Sequence, residues 1–159
     1  MGKAKSGKTV TKKDEKRNPL ASKIKNFDEL VKEYELFDEN LTSNMVLHKM
    51  AETLEFYLKI IQQLLQPEEF HSLYEANAFD DTQKSRLMDL YKKMIIVHRG
   101  ILKAELLNDE KNSIAIIQLS NSEIQKFKPS MIEVIDRMRD SWKTEVKPDV
   151  NRKSANYFG

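Results

Sequence analysis

The sequence predicts an all-α protein, an antiparallel bundle of four to six helices preceded by a disordered basic arm. The chain has only four Gly and four Pro among 159 residues, and it is rich in Leu, Ile, Lys and Glu, a composition that favours helices. Apolar residues recur three and four positions apart along most of the chain. No sustained apolar/polar alternation between turn signals is present, so strands are not expected. A domain of this size buries enough surface to fold without a metal or disulfide.

The first helix is predicted to begin at Asn26, because Asn is a favoured N-cap and Glu29 stands three residues later, as in a capping box. Apolar residues then follow at helical spacing: Leu30, Tyr34, Phe37 and Leu41. A second helical run extends from Leu47 to Leu65. The two runs are out of phase around residues 40–44. The pattern therefore fits either a break between two helices or a phase shift within one long helix.

A long helix is predicted to be capped by Asp80, Asp81 or Thr82 and to end at Asn108-Asp109. Its apolar face is formed by Leu87, Leu90, Met94, Val97, Ile101 and Leu106. Gly100 lies inside this helix, where Gly costs about 1 kcal/mol relative to Ala. We therefore expect Gly100 to mark a close crossing with another helix.

Two prolines are predicted to lie at helix boundaries. Pro67 suits the first position of a short helix, whose inner side would carry Phe70, Leu73 and Tyr74. Pro129 is expected to end a helix that carries Ile114, Ile117, Ile124 and Phe127. Ser130 and Glu133 have capping-box spacing and would open the last helix, with Met131, Ile135, Met138 and Trp142 on its apolar side.

Charge is distributed unevenly along the chain. The net charge is +2, yet residues 1–25 contain nine Lys/Arg and two Asp/Glu, whereas residues 26–142 contain 14 Lys/Arg and 21 Asp/Glu. An acidic body thus carries a strongly basic arm. Such asymmetry indicates contact of the basic segment with nucleic acid or a membrane surface.

Three regions follow from this composition. Residues 1–25 are predicted to be disordered, because their few apolar residues (Val10, Leu20, Ile24) cannot offset the entropy lost on ordering. Residues 26–143 are predicted to form the helical bundle. Residues 144–159 are polar and contain Pro148, so we expect a flexible C-terminal tail.

The cations of the arm are the candidate nucleic-acid contacts: Lys3, Lys5, Lys8, Lys12, Lys13, Lys16, Arg17, Lys23 and Lys25. A flexible run of cations follows phosphates by releasing counterions, so binding should be sequence-independent and should weaken as salt rises. The arm has no aromatic residue on which bases would stack. A nuclear-import cluster and a solubilising tail are the alternatives.

The C-terminal tail ends in an aromatic pair, Tyr157 and Phe158. Exposed aromatic residues are favoured anchors at protein interfaces. The pair is therefore the candidate partner-docking element of the tail, as in short linear motifs.

No catalytic, metal or cofactor site is expected. Residues 2–9 match the phosphate-loop pattern, but only Met1 precedes them, so no strand can feed such a loop. The chain has no Cys, which excludes thiolate metal sites and a cysteine nucleophile. Glu68 and His71 form one Glu-x-x-His, whereas di-metal bundles need two such motifs.

We expect a non-catalytic helical interaction module of a macromolecular assembly, whose acidic body binds a protein partner and whose basic arm contacts nucleic acid or a ribonucleoprotein. The alternatives are a pure protein–protein adaptor with a solubilising or targeting tail, and a metal-binding bundle protein or enzyme using Glu68 and His71. Self-association through exposed apolar helix faces is also open. No apolar run reaches the ~20 residues of a membrane span. Since the basic N-terminus also lacks a signal-peptide stretch, we expect an intracellular location, cytoplasmic or nuclear.

Overall fold

The computed structural model describes residues 18–144, which form a short 3-10 helix, Pro19–Ser22, followed by five α-helices. These are α1 (Phe27–Glu33), α2 (Ser43–Leu65), α3 (Phe70–Ala76), α4 (Asp81–Leu107) and α5 (Glu110–Ser141). Between residues 18 and 144 there is no strand. The predicted all-α bundle is confirmed. Disorder was also predicted for residues 1–17 and 145–159, which lie outside the described residues.

The three long helices α2, α4 and α5 form the body, and α2 packs against both of the others. Its buried residues are Val46, Leu47, Met50, Ala51, Leu54, Leu58, Ile61 and Leu64. Each fully buried Leu, Ile or Met contributes roughly 1.5–3 kcal/mol. Two contacts show that α2 and α4 are antiparallel. At the start of α2, Asn44 Nδ2 donates to Asn108 Oδ1, just after the end of α4, at 2.7 Å. In the middle of both helices, His98 Nε2 lies 3.1 Å from Glu55 Oε1.

Local chemistry sets both ends of α4 as the sequence predicts. Asp80 accepts a hydrogen bond from the Gln83 backbone N–H, and the Gln83 side chain accepts one from the Asp80 backbone, which completes a capping box. At the other end, Asn108 adopts the left-handed conformation at φ 48°, which Asn tolerates well. Asp109 then caps α5 by accepting from the Asn112 N–H at 2.9 Å. This two-residue link turns the chain back into the α4–α5 hairpin.

The ordered body begins earlier than predicted. Leu20 and Ile24 are each only 4% exposed and join the main hydrophobic core. The Lys23 ammonium lies 2.8 Å from Glu110 Oε1, and Gln118 Nε2 donates to the Lys23 carbonyl. The prediction of disorder is therefore wrong for residues 18–25, because this segment packs into the core and is held to the distant helix α5 by two hydrogen bonds at Lys23.

The residues after Asn26 form a short helix and then a break. Asn26 stands at the N-cap of α1, but its backbone is left-handed and its side chain makes no capping hydrogen bond, so the predicted capping box does not form. The helical run through Leu41 is also wrong, since α1 ends at Glu33 and α2 begins only at Ser43. Phe37, which was predicted to lie on the apolar face of this helix, is exposed and lies outside any helix. The sequence allowed either two helices or one long helix with a phase shift around residues 40–44, and the structure has two separate helices.

The short helix α3 buries a different face from the one predicted. It begins at Phe70, three residues after Pro67, and Phe70 is 78% exposed. The buried residues are Ser72 and Ala76. Tyr74 lies between these two faces and donates its hydroxyl to the Ser141 carbonyl at 3.0 Å. Small side chains thus face the neighbouring helices, an outcome of packing that apolar spacing alone does not reveal.

Helix α5 continues through Pro129, which the sequence predicted as its end. Proline has no N–H, so the Gln125 carbonyl loses its i+4 hydrogen-bond donor. Phe127 and Met131 on either side are buried, and their packing holds the helix together across the proline. Because Ser130 lies within this helix, the predicted capping box at Ser130 is absent.

Candidate interaction surface

A non-helical segment between α1 and α2 forms one wall of an apolar groove. Residues 34–42 meet the start of α2 and the end of α4, and the groove between them has a volume of about 550 Å³. Its apolar side chains include Leu36, Phe37, Leu41 and Met45. Phe37 is 77% exposed. Exposed apolar residues grouped around a groove indicate a binding surface.

The first turn of this wall contains a residue in an unfavourable conformation. After α1, Glu35 has a φ of 53°. Its N–H donates to the Lys32 carbonyl, and the Leu36 N–H donates to the Val31 carbonyl at 2.9 Å, the two hydrogen bonds of a Schellman motif. This left-handed position normally holds Gly, because a side chain there costs about 1–2 kcal/mol. A strained non-Gly residue is a reason to look for function at the site.

Carboxylates predominate around the groove. Glu35, Asp38 and Glu105 line it together with two basic residues, Lys49 and His48. Lys49 is already paired, because its ammonium donates to Glu52 Oε2 at 2.7 Å. The surrounding residues 27–41 contain six Asp/Glu and one Lys. The apolar lining of the groove is therefore surrounded mainly by negatively charged side chains.

The histidine of the groove lies between two carboxylates. His48 Nδ1 is 3.5 Å from Glu105 Oε1, and its Nε2 is 3.5 Å from Glu52 Oε1. His48 and Glu52 are four residues apart on α2, so their contact is a local pair on the surface of that helix. Because Glu105 is on α4, the same imidazole also links α2 to the end of α4.

Two contacts fasten the end of α1 to α5 and so fix the wall. Glu33 Oε1 accepts from the Lys128 ammonium at 2.7 Å, and this hydrogen bond lowers the pKa of the Glu33 carboxyl. The Tyr34 hydroxyl donates to Asn121 Oδ1 at 3.0 Å. Burial raises the pKa of Tyr34, so the phenol remains a neutral donor at ordinary pH.

Asn18 is the first described residue of the body. From here on, the arm means residues 1–17, because residues 18–25 belong to the body. The Asn18 Nδ2 donates to the Leu41 carbonyl at 3.2 Å, and its Oδ1 accepts from the Leu20 N–H at 2.9 Å. Leu41 itself lines the groove. The chain therefore enters the described body at a residue that is hydrogen-bonded to the groove wall.

The cations predicted to contact nucleic acid differ in where they lie. Lys23 belongs to the ordered body, where it pairs with Glu110. Lys25 is exposed. The remaining predicted cations lie outside the described residues: Lys3, Lys5, Lys8, Lys12, Lys13, Lys16 and Arg17. The predicted docking pair, Tyr157 and Phe158, also lies outside them, and the proposed roles of both sets remain predictions.

His71, part of the predicted Glu-x-x-His motif, makes a surface contact with a carboxylate other than that of Glu68. His71 Nδ1 lies 3.2 Å from Glu69 Oε2 on the protein surface. Among residues 18–144 no group of three or more His, Asp or Glu side chains could hold a metal ion. No helix in the same range is long and apolar enough to cross a membrane.

Comparison of the chain with known protein families, curated proteins and solved structures gives no match. Sequence reasoning did not find the groove. Its wall is a non-helical segment that meets two separate helices, whereas the sequence placed Phe37 on a helix face. The loss of helical phase around residues 40–44 was the one signal of a break there.

Proposed function

We propose that the protein is a non-catalytic helical module of a macromolecular assembly, in which the acidic body binds a protein partner and the basic arm contacts nucleic acid or a ribonucleoprotein. One observation carries the proposal: the arm joins the body at Asn18, which is hydrogen-bonded to Leu41 in the wall of the apolar groove. The two proposed binding elements are therefore connected through Asn18 at the groove wall. An intracellular location, cytoplasmic or nuclear, belongs to the same proposal.

The groove supports the protein-binding part. Exposed aromatic residues beside a cleft are typical anchors of protein interfaces, and Phe37 is such a residue. The acidic rim favours a partner segment that carries cations next to its apolar side chains. The strain at Glu35 fits this role, since a carboxylate is held where the backbone alone would favour Gly.

The composition of the arm supports the nucleic-acid part. Residues 1–17 contain seven Lys/Arg and two Asp/Glu. The acidic rim repels phosphates, so nucleic acid should contact the arm rather than the groove. The division of charge thus supports separate binding elements for the two proposed classes of partner.

A synthetic peptide of Lys and Leu residues, titrated into the full chain by fluorescence polarisation, tests the groove. We expect Phe37→Ala to weaken binding by about tenfold. The matched control is Phe56→Ala, because Phe56 is also an exposed phenylalanine, on α2 and outside the groove lining. Equal effects of the two substitutions would contradict the proposed docking site.

A further inference from the structure

Helix α4 carries a second exposed surface on the side facing away from the core. Met94 and Ile101 are fully buried. On the opposite side of α4 from Met94 and Ile101 lie four apolar residues whose exposed fractions range from 41% to 87%: Met88, Ile96, Leu106 and Leu107. At 1.5 Å per residue this outer face extends for about 28 Å. A soluble helix normally presents polar residues there.

Three cations run along the middle of the same face. Lys92, Arg99 and Lys103 are exposed, and spacings of seven and four residues align them on one line of the helix. Two carboxylates lie on α4 between Met88 and Leu107. Glu105 is directed to His48 on α2. Asp89 is exposed on the outer face, about five helical turns before Leu107, and also borders the groove between α4 and α5. Cations therefore predominate on this face. Within residues 18–144 these three cations form no ion pair with a carboxylate.

We propose that the outer face of α4 binds an acidic amphipathic helix of a partner protein. Apolar residues along the edges of the face can pack against the apolar stripe of one partner helix. The central cations would meet carboxylates of that helix, so the charges of the two surfaces are complementary. A membrane fits this arrangement poorly, because inserting the apolar residues would draw the central cations toward the acyl chains.

This surface is independent of the acidic groove, with which it shares no residue. The groove has an acidic rim and favours a basic segment, whereas the α4 face carries three cations and a single carboxylate, Asp89. The two surfaces therefore select partners of opposite charge.

The test uses the full chain and a 21-residue synthetic peptide of Glu and Leu, with Leu at helical spacing. We expect binding that weakens as salt rises. Replacing the central cations by Gln (Lys92→Gln, Arg99→Gln and Lys103→Gln together), or Ile96→Asn alone, should weaken binding by about tenfold or more. Lys59→Gln on α2 is the control and should bind as the native chain does. No binding, or equal binding by every variant, would overturn the proposal.

Two further measurements separate this proposal from its competitors. Phe37→Ala should leave binding of the Glu/Leu peptide unchanged, so the groove can fail its own test without affecting this one. Binding of phosphatidylserine vesicles or an RNA duplex through Lys92, Arg99 and Lys103, without binding of the peptide, would contradict an acidic helix as the partner. The substituted side chains are exposed, and far-UV circular dichroism verifies that each variant is folded.

Discussion

Asn18 and Leu41 are joined by a hydrogen bond, from Nδ2 of the asparagine to the carbonyl oxygen of the leucine, at 3.2 Å. This bond links the residue that follows the basic arm to a residue that lines the apolar groove. The proposed protein-binding groove and the proposed nucleic-acid-binding arm are therefore connected at this point of the chain.

Leu20→Ala should destabilise the protein by about 2–4 kcal/mol. Leu20 is almost fully buried, so the substitution removes buried methyl groups and leaves a cavity. Urea unfolding measures the change, with the exposed Lys25→Ala as a control that should have little effect. A loss of stability no larger than that of the control would mean that residues 18–25 do not pack on the body.

Glu35→Gly should stabilise the fold by about 1 kcal/mol, because glycine adopts the left-handed conformation without a Cβ clash. Glu35→Asn should give a smaller gain, since asparagine tolerates this conformation better than glutamate does. Both free energies come from urea unfolding. Destabilisation by both substitutions would contradict the Schellman motif at the end of α1.

The Glu33–Lys128 ion pair should make stability depend on pH. The pKa of Glu33 is lowered from its ordinary value of 4.5 by the hydrogen bond from Lys128, so its contribution is present above pH 4.5 and is lost as pH falls through the lowered pKa. The pKa of Lys128 is raised from 10.5, so the pair loses strength again only as pH rises above that value.

Glu33→Gln should therefore reduce the free energy of unfolding at pH 7 by about 0.2–1 kcal/mol, the usual range for an exposed pair. The difference from the native chain should be smaller at an acid pH below the lowered pKa of Glu33 than at pH 7. Glu29→Gln, on the same helix, serves as the control because Glu29 forms no ion pair within residues 18–144. A difference that is the same at both pH values would exclude a charge effect.

Gly100→Ala should stabilise α4 by roughly 0.5–1 kcal/mol. The sequence predicted a close helix crossing at Gly100, and this is wrong, since a Cβ placed there meets no atom within 4 Å. Thermal or urea unfolding tests the gain. The reverse change at an exposed helical site, Ala115→Gly, should cost a similar amount. Destabilisation by Gly100→Ala would show that another helix does approach Gly100.

The sequence predicts some features of the fold that depend on local chemistry, although the capping box expected at Asn26 does not form. The cap at Asp80 and the Asn108-Asp109 link use neighbouring backbone groups, so their residues alone identify them. Pro129 shows the limit of this approach. Its local preference is to end a helix, but Phe127 and Met131 are buried on both sides and hold α5 together.

Features that depend on distant contacts were not predictable. Ile24 is isolated in a lysine-rich segment, yet it is buried in the common core, and the neighbouring Lys23 carbonyl accepts a hydrogen bond from Gln118, nearly a hundred residues away on α5. Phe37 follows the helical spacing of Leu30, yet the backbone turns at Glu35 and directs Phe37 into the groove wall. The groove is built from contacts between residues that are far apart in the sequence, so no sequence pattern predicted it. The basic arm, in contrast, was recognised from local charge composition.

The most direct test is a fluorescence-polarisation titration of an RNA duplex with the full chain at low and at physiological salt. The comparison is a full-length variant in which the seven cations of residues 1–17 are replaced by Gln; Lys32→Gln together with Lys111→Gln on the body is the control. We predict that the native chain and the control bind with a steep salt dependence and that the arm variant does not bind. Equal binding by all three proteins, or no binding by the native chain, would contradict the nucleic-acid role of the arm. The second result would favour a pure protein–protein adaptor.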